Sequence, residues 1–113
     1  MYILIKMSLC PDLKKEISEL IKEDEITTWR FVIDDGKRRL MHVTNDNQFN
    51  DVVLRFITTY VDGVSFIKIL PTVATDAQNQ MRAKLHLGIV LGRFAELLNT
   101  HFCEIGQYKT ILD

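Results

Sequence analysis

Apolar residues alternate through the start of the chain. In residues 2–9, Tyr-Ile-Leu-Ile-Lys-Met-Ser-Leu, one parity holds Ile3, Ile5, Met7 and Leu9, and the other holds Tyr2, Leu4, Lys6 and Ser8. That alternation predicts a strand with one buried face. Pro11 stops the strand and suits the first turn of a helix, where its missing N–H costs nothing. Leu13, Ile17, Leu20 and Ile21 then recur at helical spacing, with Lys14, Lys15, Glu16, Glu19, Lys22 and Glu23 on the other side. The spacing predicts a half-buried surface helix over 11–23. Residues 26–33 are rich in β-branched and aromatic side chains and read as a second strand. Asp35-Gly36 follows as a hairpin signal, because a type I′ turn needs positive φ at both central positions. The third strand is then 37–44.

Past the polar break Asn45-Asp46-Asn47, the apolar stripe Phe49, Val52, Val53, Phe56, Ile57 and Tyr60 predicts a second helix over 48–60, ended by Asp62-Gly63. Val64–Leu70 reads as a fourth strand closed by Pro71. The order β-α-β-β-α-β is the split βαβ arrangement, so the expected fold class is α+β, with a ferredoxin-like βαββαβ antiparallel sheet over 1–71. An additional long C-terminal helix is expected over 75–101, capped by Thr75 or Asp76. Residues 102–113 form a tail in which Tyr108, Thr110 and Leu112 suit a short strand, with a helical piece after Gly106 as the other option. At 113 residues the chain fits one domain.

A two-residue turn at Asp35-Gly36 sets Ile33 opposite Arg38, Phe31 opposite Leu40 and Trp29 opposite His42, and directly opposed residues share a face. The first face therefore carries Trp29, Phe31, Ile33, Leu40 and His42, and is expected to pack under the first two helices with Ile3, Ile5, Met7, Leu9, Ile67 and Ile69. The second face carries Tyr2, Leu4, Lys6, Arg30, Val32, Arg39, Met41, Val43, Val64, Phe66, Lys68 and Leu70. A solvated antiparallel face normally alternates cleanly to polar, and this one does not. Three readings compete. The long helix or a partner subunit covers the apolar part while the basic side chains reach the rim. Alternatively, a pocket there grips an anionic small molecule. In the third, single-stranded nucleic acid lies on the sheet with Tyr2 and Phe66 as stacking platforms. The absence of aromatic residues and glycine from Lys-Arg-Arg-Leu-Met-His-Val disfavours the nucleic-acid reading.

Composition narrows the picture further. The chain is 47% hydrophobic and 26% charged with net charge −1, so no global field draws it to nucleic acid or an anionic membrane, and binding of that kind needs a local patch. No apolar run reaches the ~18 residues of a membrane span. The opening residues lack a basic leader region, and a cytoplasmic chain with free thiols is the expectation. Cys10 and Cys103 are far apart, and no paired Cys/His spacing exists. His101, Cys103 and Glu104 form a short potential-ligand cluster without a second pair, so no metal and no cofactor are expected. Cys10 beside Pro11, near a helix N-terminus, suits either a lowered thiol pKa or an ordinary small core residue. Asp34 and Asp35 read as turn formers. His42, opposite Trp29 on an apolar face, reads as a core histidine before a general base.

Gly88 and Gly92 lie four apart on the long helix, near Leu91 and Phe94. Each internal glycine costs ~1 kcal/mol relative to alanine, so the pair implies close backbone approach, and these four residues are the self-association candidates. No nucleotide-binding or hydrolase motif occurs. The functional expectation is a non-enzymatic, self-associating binding or regulatory module. It would hold an anionic small molecule or a protein partner through Lys6, Arg30, Arg39, Lys68, Tyr2 and Phe66. The competing class is a small cofactor-free enzyme of the dimeric α/β-barrel type.

Overall fold

The computed structural model describes residues 1–102 and the backbone of 109–111. In chain order the elements are β1 (Tyr2–Lys6), α1 (Leu13–Lys22), β2 (Trp29–Asp34), β3 (Lys37–His42), β4 (Val52–Val61), β5 (Val64–Val73), α2 (Gln80–His101) and β6 (Lys109–Ile111), with one 3₁₀ turn at Met7–Leu9. The six strands form one sheet in the order β2-β3-β4-β5-β1-β6, and every neighbouring pair is antiparallel. The protein is thus α+β with an antiparallel sheet and a long C-terminal helix. The strand order is not the ferredoxin-like one.

The difference has a single origin. Residues 48–60 do not form the expected second helix: after a turn around Phe49, the chain enters the ten-residue strand β4. Val52-Val53 and Ile57-Thr58-Thr59-Tyr60-Val61 are β-branched or aromatic almost throughout, and such residues lose χ1 freedom in a helix. Asp62-Gly63 is accordingly a hairpin turn, not a helix end. Its φ values of 50° and 78° match the 53° and 71° of Asp35-Gly36. Two Asp-Gly dipeptides therefore make two hairpins, and β2 to β5 run as one uninterrupted meander. The register expected across Asp35-Gly36 is present, with Trp29 opposite His42, Phe31 opposite Leu40 and Ile33 opposite Arg38.

Losing a helix redistributes the layers. The first face still carries the core, with Ile3, Ile5, Leu40, Leu54, Ile67 and Ile69 buried against Leu13 and Ile17 of α1. The vacant half of that face is filled by α2, whose Val90, Leu91, Phe94, Leu97 and Leu98 join the same core. Phe94 is fully buried, with its ring edge-on to Trp29 at 5.8 Å and to Phe56 at 5.9 Å. The reading that the long helix covers the second face is therefore corrected: it lies on the first. Leu9, expected in the core, sits in the 3₁₀ turn and is 45% exposed, and Ile33, at the sheet's edge, is 73% exposed.

The helix ends also differ from expectation. Asn79, not Thr75 or Asp76, caps α2, its side-chain oxygen accepting from the Arg82 N–H at 3.0 Å. Thr75 instead donates through both its N–H and its hydroxyl to the Asp34 carboxylate, each at 2.9 Å, tying the end of β2 to the loop after β5. β6 pairs with β1 through Tyr2–Ile111, Ile3–Thr110 and Leu4–Lys109. Tyr108 and Leu112, named for the tail, lie outside the described residues.

Candidate binding face

Strand alternation gathers the predicted basic residues on the side of the sheet away from both helices. Register then decides what each one faces. Arg30 stands opposite Met41, Arg39 opposite Val32, Arg55 opposite Leu70, and Lys6 opposite Phe66. Lys68 stands between Leu4 and Ile57. Each of these basic side chains thus has an apolar neighbour across the strand pair and no carboxylate. The strands place one acidic residue on this face, Asp34, and Thr75 already occupies its carboxylate. Among the described residues, Lys6, Arg30, Arg39, Arg55 and Lys68 make no ion pair. Among the described residues the one aromatic contact on the face is Lys68 Nζ over the Tyr2 ring, 4.3 Å from its centroid, which leaves Tyr2 engaged with a cation.

Sequence reasoning placed Tyr2, Lys6, Arg30, Arg39, Phe66 and Lys68 on one face, and strand register gives them that parity in two groups, Arg30 and Arg39 on β2-β3 and the other four on β5-β1, with β4 between. It missed Arg55, because a helix over 48–60 sends that residue to a solvated flank. The signal that could have found it was the Asp62-Gly63 dipeptide, which repeats the hairpin chemistry of Asp35-Gly36. In the structure Arg55 lies mid-sheet, its Nε buried and without a hydrogen-bond partner. The opposite face carries one charged strand residue, Arg38, and engages it fully. The Arg38 guanidinium lies 4.0 Å over the Phe31 ring and donates to the Ser18 hydroxyl of α1 at 2.9 Å.

The self-association candidates divide between two sides of α2. Leu91 and Phe94 are spent in the monomer's own core. Gly88 sits under the Met1 side chain, where an added Cβ would lie 3.3 Å from the Met1 methyl carbon, and a Cβ at Gly92 would meet nothing within 4 Å. On the outer side Met81, Leu85 and Ile89 recur every four residues, and they are 78%, 75% and 47% exposed.

Other chemistry is positioned elsewhere. Residues after β3, after β5 and at the start of α2 enclose a polar cleft of about 790 Å³, lined by Asp46, Asp51, Asp76, Asn79, Arg82 and His86 among others. There His86 Nδ1 lies 2.9 and 3.1 Å from the two Asp51 carboxylate oxygens, and the His86 ring sits edge-on to Phe49 at 5.1 Å. Cys10 is buried and donates its thiol proton to the Glu16 carboxylate, a structural use of the group. Among the described residues no three His, Cys, Asp or Glu side chains gather as a metal site, and Cys103 and Glu104 lie outside them. No described helix is long and apolar enough to cross a membrane.

No family model, no curated protein and no solved structure matches the chain.

Proposed function

We propose that this protein is a non-enzymatic binding module whose basic-apolar sheet face docks an acidic, amphipathic segment of a partner protein. The observation that carries the reading is that Lys6, Arg30, Arg39, Arg55 and Lys68 on that face all stand opposite apolar residues, whereas Lys37, at the hairpin end, stands opposite Asp34. An ordinary solvated face would neutralise such cations with cross-strand carboxylates. Here the charge is left for an outside partner, while Leu4, Ile57, Phe66 and Leu70 offer apolar contact between the cations. A partner alternating acidic and apolar side chains matches both properties at once. Single-stranded nucleic acid fits less well, because stacking needs free aromatic faces and Tyr2 is already covered by Lys68.

The test is a fluorescence-anisotropy titration with a labelled peptide that alternates Glu and Leu, beside a Lys-Leu control and a labelled oligonucleotide. Binding of the acidic peptide alone is expected, weakening as salt rises, with at least a tenfold loss in Arg30→Glu/Arg39→Glu. Equal binding by the double variant would sink the proposal, and preference for the oligonucleotide would reassign the face.

Self-association through the outer side of α2 is a second reading, favoured by the Met81, Leu85 and Ile89 stripe. In an antiparallel pair centred between Gly88 and Ile89, Leu85 of one copy falls over the empty position at Gly92 of the other. In the same register Arg82 falls opposite Ala95 of the second copy. Sedimentation velocity decides it: a dimer that Leu85→Glu converts to monomer supports the reading, and a monomer at high micromolar concentration removes it.

A further inference from the structure

One side of the sheet ends in a strand with a single neighbour. Among the described residues β2 pairs with β3 alone. The Val43 N–H donates to the Thr28 carbonyl at 2.7 Å, which makes Thr28 and Val43 a hydrogen-bonded pair. Alternation along the antiparallel ladder then turns the N–H and C=O of Arg30, Val32 and Asp34 toward β3. Those of Trp29, Phe31 and Ile33 point off the open edge. Edge strands are usually blunted by proline, a bulge or lysine. β2 contains no proline or lysine, its register with β3 is unbroken from Trp29 to Asp34, and Ile33 is 73% exposed beside its own free backbone groups.

The two charges on β2 decide what fits there. A second copy of β2 pairs antiparallel only where residues 29, 31 and 33 meet residues of the same set, because the alternate residues have spent their backbone groups on β3. Centred on Arg30, such a register sets two like charges together. Centred on Phe31 it leaves Arg30 opposite Val32, and centred on Ile33 it leaves Asp34 opposite Val32. Centred on Val32 it sets Phe31 opposite Ile33 and Arg30 opposite Asp34, each twice about the twofold axis. Phe31 and Ile33 share the helix side, and Arg30 and Asp34 share the other, so like meets like among apolar groups and opposite meets opposite among charges.

We propose that two copies of this chain join edge to edge through β2, antiparallel and centred on Val32, into one continuous sheet. Phe31 and Ile33 of each copy exchange backbone hydrogen bonds with Ile33 and Phe31 of the other. Both Thr75 bonds to Asp34 go to Oδ1, which leaves Oδ2 for Arg30 of the second copy. The edge is distinct from the outer side of α2, and the pairing leaves Lys6, Arg39, Arg55 and Lys68 to the proposed peptide face.

Amide exchange by NMR and sedimentation velocity, both followed as protein concentration rises, test the pairing. The Phe31 and Ile33 amides are expected to exchange at least tenfold more slowly at high concentration than at low. The Arg30 and Val32 amides, bonded to β3 in either state, are the internal reference. Ile33→Lys, at an exposed position, should weaken association at least tenfold without changing the melting temperature, whereas Leu85→Glu should leave association intact. Arg30→Asp and Asp34→Arg should each be monomeric alone and should pair when mixed, because every charged contact in the mixed dimer then joins opposite signs. Should Asp34→Arg fail to fold, amide exchange and Ile33→Lys still decide. Fast exchange at Phe31 and Ile33 at every concentration would overturn the proposal. So would slow exchange that ignores concentration, or a dimer that Leu85→Glu dissociates and Ile33→Lys does not. None of these measurements uses the acidic peptide, so a failure of peptide binding leaves their outcome unchanged.

Discussion

The two faces of this sheet are built from the same strands and obey opposite rules. The helix side carries one charged strand residue, Arg38, which is stacked on Phe31 and bonded to Ser18. The other side carries Lys6, Arg30, Arg39, Arg55 and Lys68, each facing an apolar residue, and the Asp34–Lys37 pair at the hairpin end; among the described residues none of the five is in an ion pair. The charge on the first face is engaged within the chain. The second holds charge that the described residues leave without ion pairs, and that asymmetry is the ground of the binding proposal. Overall net charge hides the difference, because the carboxylates that balance these cations lie on helices and loops.

The comparison breaks most visibly at Phe94. Phe94→Ala removes a fully buried ring at the centre of the helix side and should cost about 3–5 kcal/mol in urea denaturation. Phe66→Ala, at a half-buried position on the other side, should cost less than half as much. Similar losses at the two positions would mean that the second face is covered as deeply as the first.

Next in size is the β4-β5 turn. Gly63 has φ of +78°, with open space where a Cβ would go, so Gly63→Ala meets backbone strain and no clash. It should cost about 1–2 kcal/mol, and Gly36→Ala at φ of +71° should cost the same. Matching losses would sharpen the view that both Asp-Gly pairs are equivalent hairpins. A neutral Gly63→Ala would contradict it.

Acid acts on the helix side through His42. Burial, aided by Arg93 and partly opposed by the Thr28 carbonyl and Glu96, holds its folded pKa below the ordinary 6.5. As pH falls below that value the unfolded chain takes up the proton first, so stability is full above about pH 6.5 and declines as pH drops toward the folded pKa. The loss is about 1.4 kcal/mol per unit of separation. Denaturation midpoints against pH, read beside the NMR titration of His42 itself, check the sign. Stability rising on acidification through this range would refute it.

The smallest effect is expected where function is proposed. Lys6→Glu/Arg30→Glu should change the folding free energy by no more than about 0.5 kcal/mol, since both positions are exposed and exposed charges contribute little to stability. A large loss would mean that these cations serve the fold.

How much of this was legible beforehand depended on range. The alternation in β1 and the turn at Asp35-Gly36 are local, and they placed Tyr2, Lys6, Arg30, Arg39, Phe66 and Lys68 on one face before any coordinates. Residues 48–60 were misread because Phe49, Val52, Val53, Phe56 and Tyr60 fit a helical stripe as well as a strand. A short apolar run carries both periods, and β-branching with the second Asp-Gly pair was the cue that separates them. That one element hid Arg55 and put α2 on the wrong side.

The sequence by itself determined the parity of β1, β2, β3 and β5 and the turn at Asp35-Gly36, because these depend on residues a few positions apart. Only the tertiary structure decided which face the long helix covers and which cation meets which apolar neighbour. It alone set His42 between Trp29 and Phe49 with one nitrogen unmet among the described residues. Those outcomes follow from competition for a shared core. With no helix at 48–60, half of the helix-side face lay uncovered, and α2 was the element with enough apolar surface to fill it. Among the described residues neither helix packs on the basic face as a consequence.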